Sequence, residues 1–415
     1  MRKPVLALLS TALLSTALLF NAGCASNNAA PSDDPLSAAK AAPKPTGEPI
    51  VLGLTSQEGG AAAGNWPELR QAAEAAVKYV NTELGGAHGR PLQLETCITN
   101  GSPEGSIKCA NTILAKKPFA VLGGMEVAGD ASMPIYTAAK MPFLGGGPIN
   151  AAQMTAPNSV QWSGFAIGGL PAMAAHAGEQ LQAKKVVVVY PALPGTDGFV
   201  EGLMKPVLQA TGATDVRMLG ADIKQPDKTT VISAATQSDP DAILVIEAGA
   251  GCVSYLKAHA DLASGVPLLI TGNCVEAGFL KAVGSAAEGV YTSDEFLVTS
   301  QPDHPDVKVF THALAAYAPR DIRISAISSA GFTTVMNVYN ALKALPADQL
   351  TPDKVLRHFK SAKNAPNFMS HPFTCDGRIE MAPAVCNTAQ LMLQVKGGKL
   401  VDLGGGWVDA AQYLR

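Results

Sequence analysis

The sequence predicts an α/β protein built as two doubly wound, parallel-sheet lobes. Three observations carry this. Short apolar runs alternate with helical stretches through most of the chain, the alternation falls into two series, and the last third abandons it. Strands alternating with helices imply parallel sheets covered on both faces, and two series imply two lobes.

The first series opens with an apolar run, Ile50 to Leu54. A helix follows over Trp66 to Leu84, where Ala72, Ala73, Ala76, Val77 and Val80 fall on one face and Gly85-Gly86 ends it. Leu92 to Glu95 alternates as an edge strand, Ser106 to Lys116 is helical, and Phe119 to Leu122 is a buried strand. A helix over Ala131 to Lys140 leads into a strand at Pro142 to Leu144. The second series has helices at Gly168–Leu181, Phe199–Ala210, Thr229–Gln237 and Val253–Leu262. Its strands are Lys185–Tyr190, Val216–Leu219, Ala242–Ile246, Leu268–Thr271 and Val290–Thr292. Of these the Val-rich run at Lys185 is the clearest doubly buried strand. In the last third, Asp306–Tyr317, Ile324–Leu345 and Pro352–Ser361 read as helices. Phe373 to Trp407 reads as hairpins turning at Asp376-Gly377 and Gly397-Gly398. This segment is expected to cross back and complete both lobes.

The chain has 415 residues, 47% hydrophobic and 16% charged, with 31 Lys and Arg against 34 Asp and Glu. That balance and the lack of a basic stripe give no electrostatic footprint for nucleic acid. Arg2 and Lys3, an apolar stretch from Val5 to Phe20, and the small residues Ala22 and Gly23 before Cys24 have the three-part logic of a secretory leader. Cys24 in that position fits a lipidation site, although Asn21 stands where an apolar residue is usual. Residues 25–49 lack apolar periodicity and read as a flexible tether. The other six cysteines fall in three neighbouring pairs, Cys97 and Cys109, Cys252 and Cys274, Cys375 and Cys386. Their clustering makes sequential disulfides the most economical pairing. The rival, metal binding, prefers CxxC spacings with nearby His, and neither occurs. Cys252 and Cys274 lie just beyond two successive strands, so a bond between them would staple two loops.

Dinucleotide, P-loop, nucleophile-elbow and zinc-protease motifs are missing, and the seven His have no Asp or Cys partner at telling spacing. No enzyme, cofactor or metal is expected. In open parallel sheets ligands bind beyond the carboxyl ends of strands. Here those loops are Thr55–Glu58, Gly123–Glu126, Gly145–Ile149, Pro191–Gly198, Glu247–Gly251 and Gly272–Glu276. Most are Gly-rich, letting backbone amides approach a ligand, and several carry one carboxylate or amide, among them Glu126, Glu247, Asn273 and Glu276. Such a set suits a small polar ligand.

At these residues the chain resembles the type I periplasmic binding proteins of ABC importers, in the branched-chain and hydrophobic amino-acid branch. The resemblance spans Ile50 to Val408: IVLGL, then GNWPELRQAAEAAVKYVNTELGGAHGRPLQLE, KPFAVLGGMEVAGDASMPIYTAAKMPFLGGGP, KKVVVVYPALPGTDGFVEGL and LQVKGGKLV. It implies two lobes joined by three crossovers and a hinge-closing cleft. The implied division is a leader at 1–24, a tether at 25–49, a first lobe at 50–163 and 294–345, and a second at 164–293 and 346–415. The family's first lobe grips a ligand carboxylate through hydroxyls and amides, and its second offers an acidic residue to the ammonium. Carried over, Trp66 falls where an aromatic touches the ligand. Met125, Glu126 and Val127 fall on one carboxylate turn, Gly147 to Ile149 with Pro148 on the other. Asp197 falls where an aromatic is usual, and Cys274 near the acidic position, with Glu276 two residues later. The hydroxyls expected on both turns are missing, and Glu126 would repel a carboxylate at close range. An amide, amine or polyol therefore fits these residues as well as an amino acid does.

The leading expectation is thus an exported monomer, lipid-anchored on the outer face of a bacterial cytoplasmic membrane, delivering a small solute to an ABC permease and ATPase. The alternative is a ligand-sensing module of the same fold that regulates a membrane partner. An extracellular hydrolase is disfavoured because no nucleophile and base are paired.

Overall fold

The computed structural model describes residues 42–59, 64–193, 195–247, 249 and 251–414, so the leader, Cys24 and most of the expected tether lie outside the described residues. The first lobe runs β1 (Ile50–Gln57), α1 (Pro67–Glu83), β2 (Leu92–Thr99), α2 (Pro103–Ala115), β3 (Ala120–Leu122), α3 (Gly129–Ala138), β4 (Phe143–Leu144), α4 (Ala151–Thr155) and β5 (Ser159–Val160). The second runs α5 (Ala166–Glu179), β6 (Lys185–Pro191), α6 (Thr196–Ala210), β7 (Asp215–Ala221), α7 (Thr229–Thr236), β8 (Ala242–Val245), α8 (Cys252–Leu262), β9 (Leu268–Ile270), α9 (Ala277–Val283) and β10 (Tyr291–Asp294). There follow α10 (Pro305–Tyr317), α11 (Ala326–Ala344), α12 (Pro352–Lys360), β11 (Gln390–Lys396) and β12 (Lys399–Val408).

The first sheet is parallel throughout, in the order β2-β1-β3-β4-β5. The second has the order β12-β11-β10-β9-β8-β6-β7, parallel from β7 to β10 and closed by the antiparallel hairpin β11–β12. That hairpin turns at Gly397-Gly398, whose φ values of 58° and 71° suit glycine. The hairpin expected at Asp376-Gly377 does not form. There the chain makes isolated bridges, Gln161 to Val385 and Ala365 to Phe373, and the Cys375–Cys386 disulfide holds it. β1 continues past the expected Leu54 because Thr55, Ser56 and Gln57 pair in register with Cys97, Ile98 and Thr99.

Helices α10 and α11 return to pack on α1. Ser325 starts α11 with a capping box to Ser328, and Gly331 lets its backbone approach α1. A Cβ on Gly331 would stand 2.2 Å from the Leu69 carbonyl. Helix α12, expected in the second lobe, packs on α11 and β5, with Phe359 4.9 Å from the Trp162 ring. Residues 46–48 are strapped down rather than loose: Thr46 and Gly47 donate to the Gly89 carbonyl, and Arg90 Nε donates to the Glu48 carbonyl.

Three segments pass between the lobes: 161–165, 295–304 and 361–389. They are bonded side by side. Gln161 exchanges backbone hydrogen bonds with Ala384 and Cys386, and Asn367 and Asn387 both donate to the Trp162 carbonyl. Glu295, 4% exposed, accepts from Ser163 Oγ at 2.5 Å, Gly164 N–H at 3.0 Å and Phe165 N–H at 3.3 Å. Its own carbonyl accepts from Ser370 Oγ at 2.6 Å, so one residue touches all three crossings. Phe165 is held at a φ of +43°, which a non-glycine residue adopts only under constraint.

Gly331→Ala is expected to cost about 1–3 kcal/mol by forcing α11 off α1, while Gly202→Ala, on an exposed helix face with nothing near its Cβ, is neutral or stabilising. Paired denaturant-unfolding curves check both. Equal effects would mean that the α1–α11 contact yields freely.

Candidate functional site

In both sheets the strand order reverses at one place, between β1 and β3 in the first lobe and between β6 and β8 in the second. The crevice beyond the carboxyl ends at such a switch point is where doubly wound sheets bind ligands. The residues at or just beyond the ends of these strands are Gln57 and 123–127 in the first lobe and 191–193, 195–197 and Glu247 in the second.

On the first wall the glycines do not chiefly serve a ligand. A Cβ on Gly123 would lie 1.7 Å from the Gly145 carbonyl, and one on Gly124 would lie 2.0 Å from the Thr55 carbonyl. These residues let β1, β3 and β4 end in close contact. What they bring together at the strand ends is backbone. The N–H groups of Met125, Glu126 and Gly147 have no hydrogen-bond partner among the described residues, whereas the Val127 N–H donates to Gln57 Oε1 at 2.9 Å. Gln57 in turn donates to the Gly64 carbonyl at 2.9 Å, and the Trp66 N–H donates to the Gln57 carbonyl. This residue, in the Thr55–Glu58 stretch, ties the Trp66 backbone to the Met125 turn. Trp66, Met125 and Phe165 all pack on the same core cluster.

Glu126 sits on this turn with its side chain facing the other way. It is 2% exposed and accepts from Ser106 of α2 and from Ser132 of α3. Burial pushes its carboxyl up, and the two hydroxyls oppose that. The repulsion expected between Glu126 and a bound carboxylate therefore does not arise from its carboxylate position. The second turn is equally enclosed: Gly145 to Pro148 are buried, and a Cβ on Gly147 would meet the Phe165 ring at 2.9 Å.

On the second wall, Glu247 follows β8 directly. Its N–H donates to Thr271 Oγ1, and Thr271 Oγ1 donates to the Glu247 carbonyl at 2.5 Å. Its carboxylate lies so close to Gly251 that a Cβ there would sit within 2.1 Å of Oε2. The Cys252–Cys274 disulfide spans the same two loops with a Cα separation of 5.0 Å. Asn273 lies half-buried in the 3-10 turn Gly272–Val275 that this bond anchors, and Asp197 stands exposed in the first turn of α6. Glu276 stands at the start of α9 without a side-chain capping bond and does not join the group around Glu247. It faces Arg323 of the first lobe, with Arg323 Nε 3.8 Å from Glu276 Oε2. Arg323 had no sequence signal: it stands in the linker before α11, outside every strand-end loop. No group of three His, Cys, Asp or Glu among the described residues is placed to hold a metal ion.

Two α/β lobes, three bonded crossings and facing strand ends define a two-lobed solute-binding clamshell. A model of the periplasmic binding protein family matches residues 49–390, and the chain belongs to that family. Among curated proteins none matches the chain in sequence. Solved structures share the fold. An ABC transporter substrate-binding protein from Sphaerobacter thermophilus superposes with a TM-score of 0.73 at 18% identity, covering 88% of this chain and 98% of that one. A solute-binding protein of Rhodopseudomonas palustris in complex with p-hydroxybenzoic acid gives 0.71 at 20% identity, covering 88% and 98%. The branched-chain amino-acid transporter substrate-binding protein of Streptococcus pneumoniae, in complex with isoleucine, gives 0.69 at 16%, covering 87% and 100%.

Replacing Cys252 and Cys274 together by Ser is expected to lower stability by about 3 kcal/mol, the chain-entropy value for a loop of this size. It should also speed amide exchange across residues 245–276 while leaving the first lobe unchanged. Unchanged exchange there would mean that Thr271 alone fixes the Glu247 loop.

Proposed function

We propose that this chain is the extracytoplasmic, lipid-anchored binding component of an ABC importer. Its cargo is a small polar solute, a branched-chain or other hydrophobic amino acid or a related amide or amine, held between the lobes. The observation that carries this reading is the complementarity of the two walls. We read the first as supplying the N–H groups of Met125, Glu126 and Gly147, donors for an anion, and the second as supplying Glu247, half-buried just beyond β8, as the acceptor for a cation. A zwitterion lying across the crevice satisfies both. Because Glu126 points into its lobe, the missing hydroxyls leave backbone amides to hold the carboxylate. The isoleucine and p-hydroxybenzoic acid complexes of fold relatives define the two solutes to try first. The leader before Cys24 supports export and anchoring, and no helix among the described residues is long and apolar enough to cross a membrane.

The deciding experiment is a thermal-shift and calorimetric screen of the purified protein against isoleucine, other amino acids, their amides, polyols, amines and p-hydroxybenzoate. Solute at ~100-fold over its dissociation constant adds about 2.7 kcal/mol to stability. Stabilisation by amino acids is the expected result, and stabilisation by solutes lacking an amino group alone would overturn the zwitterion reading. With isoleucine bound, Glu247→Gln is expected to weaken affinity by about 2 kcal/mol, roughly thirty-fold. Glu126→Gln should stay within about threefold, since the pairing it loses lies behind the wall.

A further inference from the structure

Two carboxyls share one guanidinium, and the group straddles the two lobes. Glu68, in the first turn of α1 and 3% exposed, accepts through Oε1 from both Nε and Nη2 of Arg323. Both residues belong to the first lobe. Glu276, from the second lobe, approaches Arg323 Nε at 3.8 Å, the single ion pair between the lobes among the described residues. Asp294, at the end of β10 on the second lobe, is buried within reach of Glu276, and burial pushes its own carboxyl up. The charges do not balance. Arg323 is already engaged by Glu68, so bringing Glu276 up to it places a second carboxyl beside a cation with one charge to share.

We propose that closing the lobes takes up a proton at Glu276, with Arg323 as the cation that holds the surrounding carboxyls together, so that the cleft closes more readily as pH falls. The groups that face Glu276 are Arg323 in the linker before α11, Glu68 on α1 and Asp294 on β10. Burial, the largest influence, pushes Glu276 up to about 7 from an ordinary value of 4.5; Arg323 opposes this and Glu68 adds to it. In this proposal the first lobe that carries Arg323 and Glu68 supplies that burial, so Glu276 returns towards the ordinary value when the lobes part. The closed form then binds the proton more tightly than the open form. Closure is accordingly promoted below about 7, where closed Glu276 is protonated, and the promotion is lost as pH rises through about 7. One proton taken up per closure makes the closing constant about ten-fold larger at pH 6 than at pH 8.

The inference rests on the hinged closure proposed above but on no particular solute, and it is read in the protein stripped of solute, so a failed ligand screen does not bear on it. Small-angle X-ray scattering of the purified, disulfide-intact protein, fitted to open and closed forms, gives the closed fraction at each pH. The wild type is expected to compact between pH 8 and pH 6 by the ten-fold change. Glu276→Gln, which keeps the shape and leaves the Glu68–Arg323 pair intact, should be as closed at pH 8 as at pH 6. Arg323→Gln should be more open than wild type at pH 8 and recover towards pH 6. A wild type whose scattering does not change with pH, or a Glu276→Gln protein that keeps the wild-type response, would overturn the proposal. Because Arg323→Gln also strips Glu68 of its partner, Glu276→Gln decides the matter if that variant misfolds.

Discussion

The structure depends on one buried carboxylate. Glu295 sits where the second crossing leaves the second lobe, and it gathers a hydroxyl and two backbone N–H groups of the first crossing while its carbonyl holds Ser370 of the third. Burial raises its carboxyl, and the three donors oppose that. An isolated carboxylate in this place would be costly, but one surrounded by donors is a strong organiser of backbone. The strained Phe165, whose N–H is one of those donors, is tolerated because Glu295 over-determines its position. Three covalent connections would by themselves allow the lobes to slide and twist independently. Bonded into one strip, they leave bending as the soft motion. The relation between the lobes therefore runs through this carboxylate.

The chemistry of the two walls is divided accordingly. The first lobe presents backbone, made accessible by glycines whose primary duty is to let strands meet. The second presents a carboxylate whose loop is fixed twice, by Thr271 and by the Cys252–Cys274 bond. Rigid walls on a bending strip keep the ordering cost of capture small, since little beyond the hinge has to move. Further out, Arg323 and Glu276 meet across the opening, so the rim carries its own electrostatics, separate from those at the strand ends.

Much of the scaffold was written in local patterns. The Val run of β6, the Gly-Gly stop after α1 and the Gly397-Gly398 hairpin each follow from short-range rules, and the three disulfides follow from the clustering of their cysteines. What escaped has non-local causes. β5 is two residues long and exists because Phe143 and Leu144 offer it a partner. Residues 373–389 look like a hairpin, yet they serve the hinge, where Gln161 and a disulfide fix them. At the site, a sequence shows that Glu126 follows a strand but not which way it points. Its direction is decided by Ser106 and Ser132, brought in from α2 and α3. Gln57, Glu295 and Arg323 act through partners up to hundreds of residues away, and no spacing rule reaches that far.

The most direct test is a crystal structure of the protein grown with isoleucine, refined with the solute in place. The expected result is closed lobes with the solute in the crevice, its carboxylate within hydrogen-bond distance of the N–H groups of Met125, Glu126 or Gly147 and its ammonium beside Glu247. Isoleucine seated away from both switch points, or lobes hinged anywhere other than at the Glu295 strip, would contradict the clamshell described here.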